Sequence, residues 1–408
     1  MILENLRTEW DALVSCSLAC KALFCSARRV IHERLCVVGP KTFPFAVKLT
    51  GRYWIFNRTH LRRLSLADDA NLTQYTRHLV VVVGQAFTPR GLRPYAQTLR
   101  KYTCLTSLTL THFDPLPFLP VFDRYFLHLS HSLRSLHLVS PRGTPDVAVD
   151  FISRFLNLDN LEFNPVPEPP HQPSGNQTSL EPRSQLAPLR GTLRIISTDS
   201  RGTISLEPLV HLPGGLHFRS FEFVCCTDIN TTGIVRECAS TLETVTYTLH
   251  CRKSASLANR FIFAYPLLIL VLTAPETAFF KLQLGPCRNL RIFEARIETS
   301  SFALDDLIRW LVGVLSTIRS PVFSEFILSL DYKTFEPHIH EVNPTIISIL
   351  DRRVSRLRRR SGMRLIIKSD LPEPWRQLLL FCLPSSTSVC AIRFDLPDSS
   401  VLLCGQTR

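Results

Sequence analysis

A short apolar motif, Leu-x-x-Leu-x-Leu or a version ending in Phe, returns along this chain and restricts its possible folds more than any other feature. It occurs as Leu105, Leu108, Leu110, then Leu133, Leu136, Leu138, then Leu158, Leu161, Phe163. Weaker copies are Phe218, Phe221, Phe223; Leu242, Val245, Tyr247; Leu290, Phe293, Ala295; and Phe323, Phe326, Leu328. Central positions are 28 residues apart from Leu108 to Leu136 and 25 from there to Leu161. Further on the spacings are 24 from Phe221 to Val245, 48 to Phe293 and 33 to Phe326. Periods in the twenties with this pattern are the mark of leucine-rich repeats, in which each unit supplies one short strand and a return segment and stacked strands share a continuous core. The interval of 48 is two units of 24 and contains the apolar stretch 261–274, either a degenerate repeat or an insertion.

The return segments carry helical spacing. Within 146–156, Val147, Phe151, Ile152 and Phe155 share a helical face, and Leu304, Leu307, Ile308, Leu311, Leu315 and Ile318 form a second stripe with Ser301 as N-cap. A third stripe, Ile346, Leu350, Val354 and Leu357, follows the N-cap and first-turn pair Asn343-Pro344 and bears Arg352, Arg353, Arg356, Arg358, Arg359 and Arg360. Those arginines read as the wet side of a packed helix. Then come a strand at 364–368, a helix at 374–383 and a strand at 389–396. Strand–helix alternation predicts an α/β fold, an irregular leucine-rich-repeat-like solenoid of parallel strands with outer helices. Segment 164–190 breaks the pattern with Pro at 165, 167, 169, 170, 173, 182 and 188, and reads as an exposed loop.

Composition narrows the function classes. With 45% hydrophobic and 20% charged residues in 408, the chain is too apolar to remain disordered. The charge-free apolar stretch 261–275 is shorter than the roughly 18 residues a membrane helix needs and is interrupted by Pro266, so it reads as a buried strand or core helix. Glu4 stands where a signal peptide requires a basic start, which predicts a cytoplasmic or nuclear chain. Its 13 cysteines are then free thiols, and Asn57, Asn71, Asn176 and Asn230 are not glycosylation sites. The formal charge is +13, and residues 41–110 hold eleven Lys or Arg against two acids, Asp68 and Asp69. That excess reads as a solvated face, because aromatics are not interleaved as in a nucleic-acid-binding surface.

Residues 9–35 read as helical, and between 12 and 25 only Ser15, Ser17 and Lys21 are polar, with Ser17 and Lys21 at i,i+4 spacing on one face. A helix apolar on most of its circumference must be covered on two sides, one by its own domain and one by a partner. No chemistry competes with that reading. Phosphate-cradling glycine loops and a nucleophile turn are missing from the sequence, and His32-Glu33 begins a zincin-like motif that fails at Cys36. Cys16 and Cys20 read as core thiols, since their spacing with Cys25 and His32 is not that of a zinc knuckle. The expectation is no catalytic residue, no cofactor and no metal.

The N-terminal segment Ile2-Leu3-Glu4-Asn5-Leu6, followed by Ala12-Leu13-Val14-Ser15-Cys16-Ser17-Leu18-Ala19-Cys20-Lys21-Ala22-Leu23 and the basic Arg28 and Arg29, resembles the later part of an F-box of the large fungal, mushroom-type families. Segments 212–220, 240–243 and 320–325 look like phrases of the repeat region of the same families. The family pattern opens with a Leu-Pro pair and most of a first helix; this chain starts inside that helix, with Leu23 or Phe24 where a Trp is common. The resemblance implies a non-enzymatic substrate-recognition adaptor of an SCF-type cullin-RING ubiquitin ligase. Carried over by position, Leu6, Leu13, Val14, Ser17, Leu18 and Lys21 would meet the ligase adaptor subunit and the repeats would hold an unknown protein substrate. The implied organisation is partial F-box helices over 1–38, a basic connecting segment with first irregular repeats over 39–104, and the repeat array over 105–408. The alternative is a repeat scaffold with a vestigial F-box, independent of ubiquitin. Neither reading involves a membrane or nucleic acid.

Overall fold

The last two apolar positions of each motif are two residues apart, so in an extended strand both side chains fall on one face. The computed structural model places them so. It describes residues 10–38, 54–56, 73–82, 97, 100–111, 115–139, 145–164, 189–197, 204–210, 212, 214–225, 229–249, 282–297, 304–330, 344–369, 383 and 392–395. The chain divides into two compact units, with the division falling inside one strand.

The first unit begins with helices α1 (Trp10–Ala19) and α2 (Lys21–His32). Its strands are β1 (Arg34–Val38), β2 (Trp54–Phe56), β3 (His78–Val82), β4 (Ser107–Thr111), β5 (Ser135–Val139) and β6 (Asn160–Asn164), all parallel in the order β2-β1-β3-β4-β5-β6. Parallel neighbours need crossover connections. Helix α3 (Pro115–Tyr125) lies on the crossover from β4 to β5, and α4 (Pro145–Ile152) on that from β5 to β6. The register lines up Leu35, Leu79, Leu108, Leu136 and Leu161 in one buried row. Val37, Val81, Leu110, Leu138 and Phe163 make a second buried row two residues on. Against these strands Phe122, Phe151 and Phe155 form an edge-on cluster with ring centroids 4.7 to 5.5 Å apart. Beside it the buried Arg154 is ion-paired with Asp123 and, at 2.9 Å, with Asp150, which compensates its desolvation.

Strand β7 (Leu189–Ser197) carries the division: residues 189–193 belong to the first unit and 194–197 to the second. Its Gly191 has φ +87°, and a Cβ there would stand 1.8 Å from the Asp159 carbonyl oxygen, which accepts the Thr192 N–H at 2.7 Å. Glycine is required by both conformation and space.

The second unit adds the two-residue parallel pair β8 (Ile204–Ser205) and β10 (Ile229–Asn230), and the ladder β9 (Leu216–Cys225), β11 (Thr244–Leu249), β12 (Ile292–Ile297), β13 (Glu325–Leu330), β14 (Arg364–Ser369) and β15 (Ile392–Asp395), parallel in the order β9-β11-β12-β13-β14-β15. Phe221, Val245, Phe293, Phe326 and Leu365 form its first core row, and Phe223, Tyr247, Ala295, Leu328 and Ile367 its second. Its helices are α5 (Glu207–Val210), α6 (Thr232–Glu237), α7 (Leu304–Thr317) and α8 (Pro344–Ser361). The α7 stripe buries Leu307, Ile308, Leu311 and Leu315, and Trp310 of the same helix reaches the strands, 5.1 Å from the Tyr247 ring and 6.5 Å from that of Phe293.

A recurring staple shows the repeat even where the apolar motif is faint. At the start of six strands, two successive N–H groups donate to one carbonyl of the preceding strand's approach. Arg77 and His78 donate to Glu33, Thr106 and Ser107 to Arg77, Arg134 and Ser135 to Thr106, and Asp159 and Asn160 to Arg134, all at 2.8 to 3.0 Å. In the second unit Arg291 and Ile292 donate to Glu243, and Ser324 and Glu325 to Arg291. Shared acceptance satisfies the donors that a turn would otherwise leave buried.

Several expectations change. The helix over 9–35 is broken: Cys20 has extended backbone at φ −156° and ψ 153°, and Arg34 and Leu35 already belong to β1. Ser17 and Lys21 therefore sit on different helices. The parallel ladder starts at Arg34, ahead of the first motif at Leu105. Across the interval of 48, β11 and β12 pair directly, so 261–274 contributes no strand between them; its own structure lies outside the described residues. The Pro-rich segment ends in strand, at Leu189 and Arg190. Cys20 is exposed and Cys16 half-buried, so neither is a core thiol; the buried thiols are Cys36, Cys238 and Cys287 among the described residues. Two of the clustered arginines are not simply wet. Arg353 donates to the Leu315 and Ser316 carbonyls at 3.2 and 2.6 Å, and Arg360 to that of Arg319 at 3.0 Å, satisfying the last turn of α7 and the chain just beyond it. Residues Leu6, Ser301 and Asn343, and most of the basic segment 41–72 and of the helix expected at 374–383, lie outside the described residues. Among the described residues no helix is long and apolar enough to cross a membrane.

Candidate functional site

Two kinds of surface are built by this chain, one on the helix pair and one on the polar faces of the ladders. In the helix pair, Leu13 is 1% exposed and Ala27 fully buried, so both are part of the protein's own core. Ser17 is buried too, and its hydroxyl donates to the Val14 carbonyl one turn back at 2.7 Å, which removes it from the surface. Val14 is half-buried and Lys21 exposed. Leu18 stands 79% exposed, and beyond the break Leu23 and Phe24 are 38% and 37% exposed.

The break at Cys20 makes this arrangement. The Cys20 carbonyl accepts the N–H groups of Leu23 and Phe24 at 3.2 and 3.0 Å, opening α2 with a tight turn. The apolar stretch is thereby folded at its middle, and its greasiest residues gather around the corner with the exposed thiols Cys20 and Cys25. Each large apolar side chain that a partner covered fully would contribute roughly 1.5–3 kcal/mol. Of the six residues the resemblance assigns to docking, the structure leaves Leu18 and Lys21 on the surface with Val14 between. It turns Leu13 and Ser17 inward, and Leu6 lies outside the described residues.

The polar faces follow from the same alternation that builds the core, because residues between the buried positions point the other way. In the first unit Thr109, His137 and Glu162 stand in one row. His137 sits between two partners: its Nε2 is 2.8 Å from the Ser135 hydroxyl and its Nδ1 3.1 Å from a Glu162 carboxylate oxygen. That is the connectivity of a Ser–His–acid relay. An acyl-transfer site also needs donors for an oxyanion, and the Ser135 N–H is already given to the Thr106 carbonyl at 2.9 Å. The trio spans two adjacent strands, with Ser135 and His137 on β5 and Glu162 on β6.

In the second unit Glu294 organises the face. It accepts from Arg296 at 2.9 and 3.1 Å and from the Ser329 hydroxyl of β13 at 3.2 Å, and it is 3.7 Å from the Lys368 ammonium of β14. Burial pushes its carboxyl upward, but the Arg296 hydrogen bonds and charge, Lys368 and Ser329 together outweigh this and hold it below the ordinary glutamate value. Arg194 and Glu222, at 3.3 Å, extend the charged array. Acid and base alternate in Phe293-Glu294-Ala295-Arg296, so this pair was readable as a polar strand face, whereas its partners on β13 and β14 were not.

The buried thiols are inert by environment: burial pushes Cys36, Cys238 and Cys287 up to about 12. Comparison of the chain with protein-family models, with curated proteins and with solved structures gave no match.

Proposed function

We propose that this chain is a non-enzymatic, cytoplasmic or nuclear recognition protein whose helix pair docks on the adaptor subunit of an SCF-type ubiquitin ligase and whose leucine-rich-repeat-like strands hold a protein substrate. The observation that carries the reading is the apolar corner Leu18, Leu23 and Phe24, placed ahead of a parallel ladder with ordered polar faces. Large apolar side chains grouped and exposed at one corner are the kind of surface that marks a protein–protein contact. The mechanism is proximity: the ladder holds a target where a ligase-bound ubiquitin donor reaches it.

One observation favours the second reading, a repeat scaffold independent of ubiquitin. Leu13 and Ser17 are committed to the protein's own interior, which shrinks the docking surface the resemblance implies.

Co-purification with the ligase adaptor subunit separates the two. Removing residues 1–38 would also remove β1, so the comparison is made with the full chain and a Leu18→Asp, Phe24→Asp double variant, both on exposed positions. A complex formed by the wild type and lost in the variant supports docking at the corner. A complex that survives the variant places docking elsewhere. A folded wild type that forms none leaves the scaffold reading.

A further inference from the structure

Helix α8 and the loops beside it bring arginines from three parts of the second unit to one end of the ladder. Between Asp351 and Arg364 the chain carries seven arginines against the single Asp351, which is buried. Arg352, Arg356, Arg359 and Arg360 are exposed, and their span along the helix is about 12 Å at 1.5 Å per residue. The Arg360 guanidinium reaches the Arg319 carbonyl, and Ser320 donates to the Arg288 carbonyl at 2.7 Å, which draws the exposed Arg319 and Arg288 to the same place. Among the described residues none of Arg288, Arg319, Arg352, Arg356, Arg359 and Arg360 has a carboxylate partner, whereas Arg364 is paired with Glu325.

A helix merely kept wet would let like charges spread apart. Here Arg353 and Arg360 are fixed on carbonyls of α7 and the turn after it, so the positive charge is held together. Burial first, and then the Arg356 and Arg360 charges, hold the Arg353 guanidinium below its ordinary value. Next in the chain after Arg319 and Ser320 come two exposed apolar residues, Pro321 and Val322, the latter 46% exposed. An anionic partner fits the arginines, and the adjoining apolar residues favour a polypeptide over a nucleic acid, since no exposed aromatic ring offers a base a stacking surface among the described residues of this patch.

We infer that the exposed arginines of α8, with Arg319, Arg288 and the Pro321-Val322 turn, form a docking site for an acidic peptide segment that carries an apolar side chain among its carboxylates. The site goes beyond ligase docking and stands or falls without it, because the assay needs no ligase component.

The test is fluorescence polarisation of the full chain with a labelled peptide of about twelve Glu and Asp residues with a central Leu, beside a labelled RNA duplex of similar charge. Wild type is expected to bind the peptide with affinity that falls as salt rises. Arg356→Glu with Arg359→Glu should weaken binding at least tenfold while the melting curve stays in place. Arg319→Glu, on a different element, should do the same and guards against a fold defect in α8. Val322→Asp should weaken the peptide and leave the duplex unaffected. Peptide affinity absent in the folded wild type, or unchanged in both arginine variants, overturns the site. Tighter binding of the duplex than of the peptide, with no response to Val322→Asp, makes it a nucleic-acid surface and overturns the peptide assignment.

Discussion

Val245 and Phe293 are direct neighbours in the parallel ladder although 48 residues separate them in the chain. Phe293 is fully buried, its ring stacked at 5.8 Å on Phe326 of the next strand and 6.5 Å from Trp310 of α7. It ties two strands and the helix layer together at the far side of the longest crossover between adjacent ladder strands in its unit. Phe293→Ala should cost about 3–5 kcal/mol, the transfer and cavity cost of deleting a buried aromatic ring. Urea denaturation should show a lower midpoint with an unchanged slope.

Gly191→Ala should be damaging without touching the core. A methyl group there would overlap the Asp159 carbonyl, and φ +87° is a conformation that side chains disfavour. The strain alone is of order 1–3 kcal/mol, and the backbone shift that relieves the overlap would also weaken the bond from Thr192 to Asp159. Loss of amide exchange protection at Thr192 in a still-folded variant is the local signature. A variant as stable as wild type, with Thr192 protected, would contradict this account.

Glu294 gives the second unit a pH dependence of known sign. Its folded-state value is depressed below the ordinary one, so its contribution to stability is complete above the unfolded glutamate value and is lost as pH falls through the folded one. The stability gap between wild type and Glu294→Gln should be widest near neutrality and should narrow below about pH 4. Paired urea titrations at the two pH values measure it. A gap that widens on acidification would mean burial, not Arg296 and Lys368, dominates the carboxylate.

The cysteines should divide sharply by reactivity. Cys20 and Cys25 are exposed, while Cys36, Cys238 and Cys287 are buried with thiols pushed up to about 12. At pH 8 a group titrating near 12 is thiolate for about one part in ten thousand. Brief alkylation followed by peptide mapping should mark Cys20 and Cys25, and the other three only after denaturant is added.

The staples explain why part of the ladder was hidden. Glu33, Arg77 and Thr106 serve successive strands through their backbone carbonyls, which any residue supplies, so nothing in the side chains announces β1 and β3 as members of the series. The later strands were legible because their apolar positions alternate with polar ones, and every motif position from Leu105 to Leu328 is buried.

What the amino-acid order determined by itself is therefore the alternation: which residues of each strand face the core, and that helices return between them. Both are set by spacings of two and of three to four residues, within reach of local pattern. Tertiary structure alone decided the break at Cys20, the inward turn of Leu13 and Ser17 with the outward turn of Leu18 and Phe24, and the gathering of Arg288 and Arg319 beside Arg360. The first two follow from how the helix pair folds back on itself and the last from contacts more than thirty residues apart in the chain, and neither is a spacing that local pattern reports.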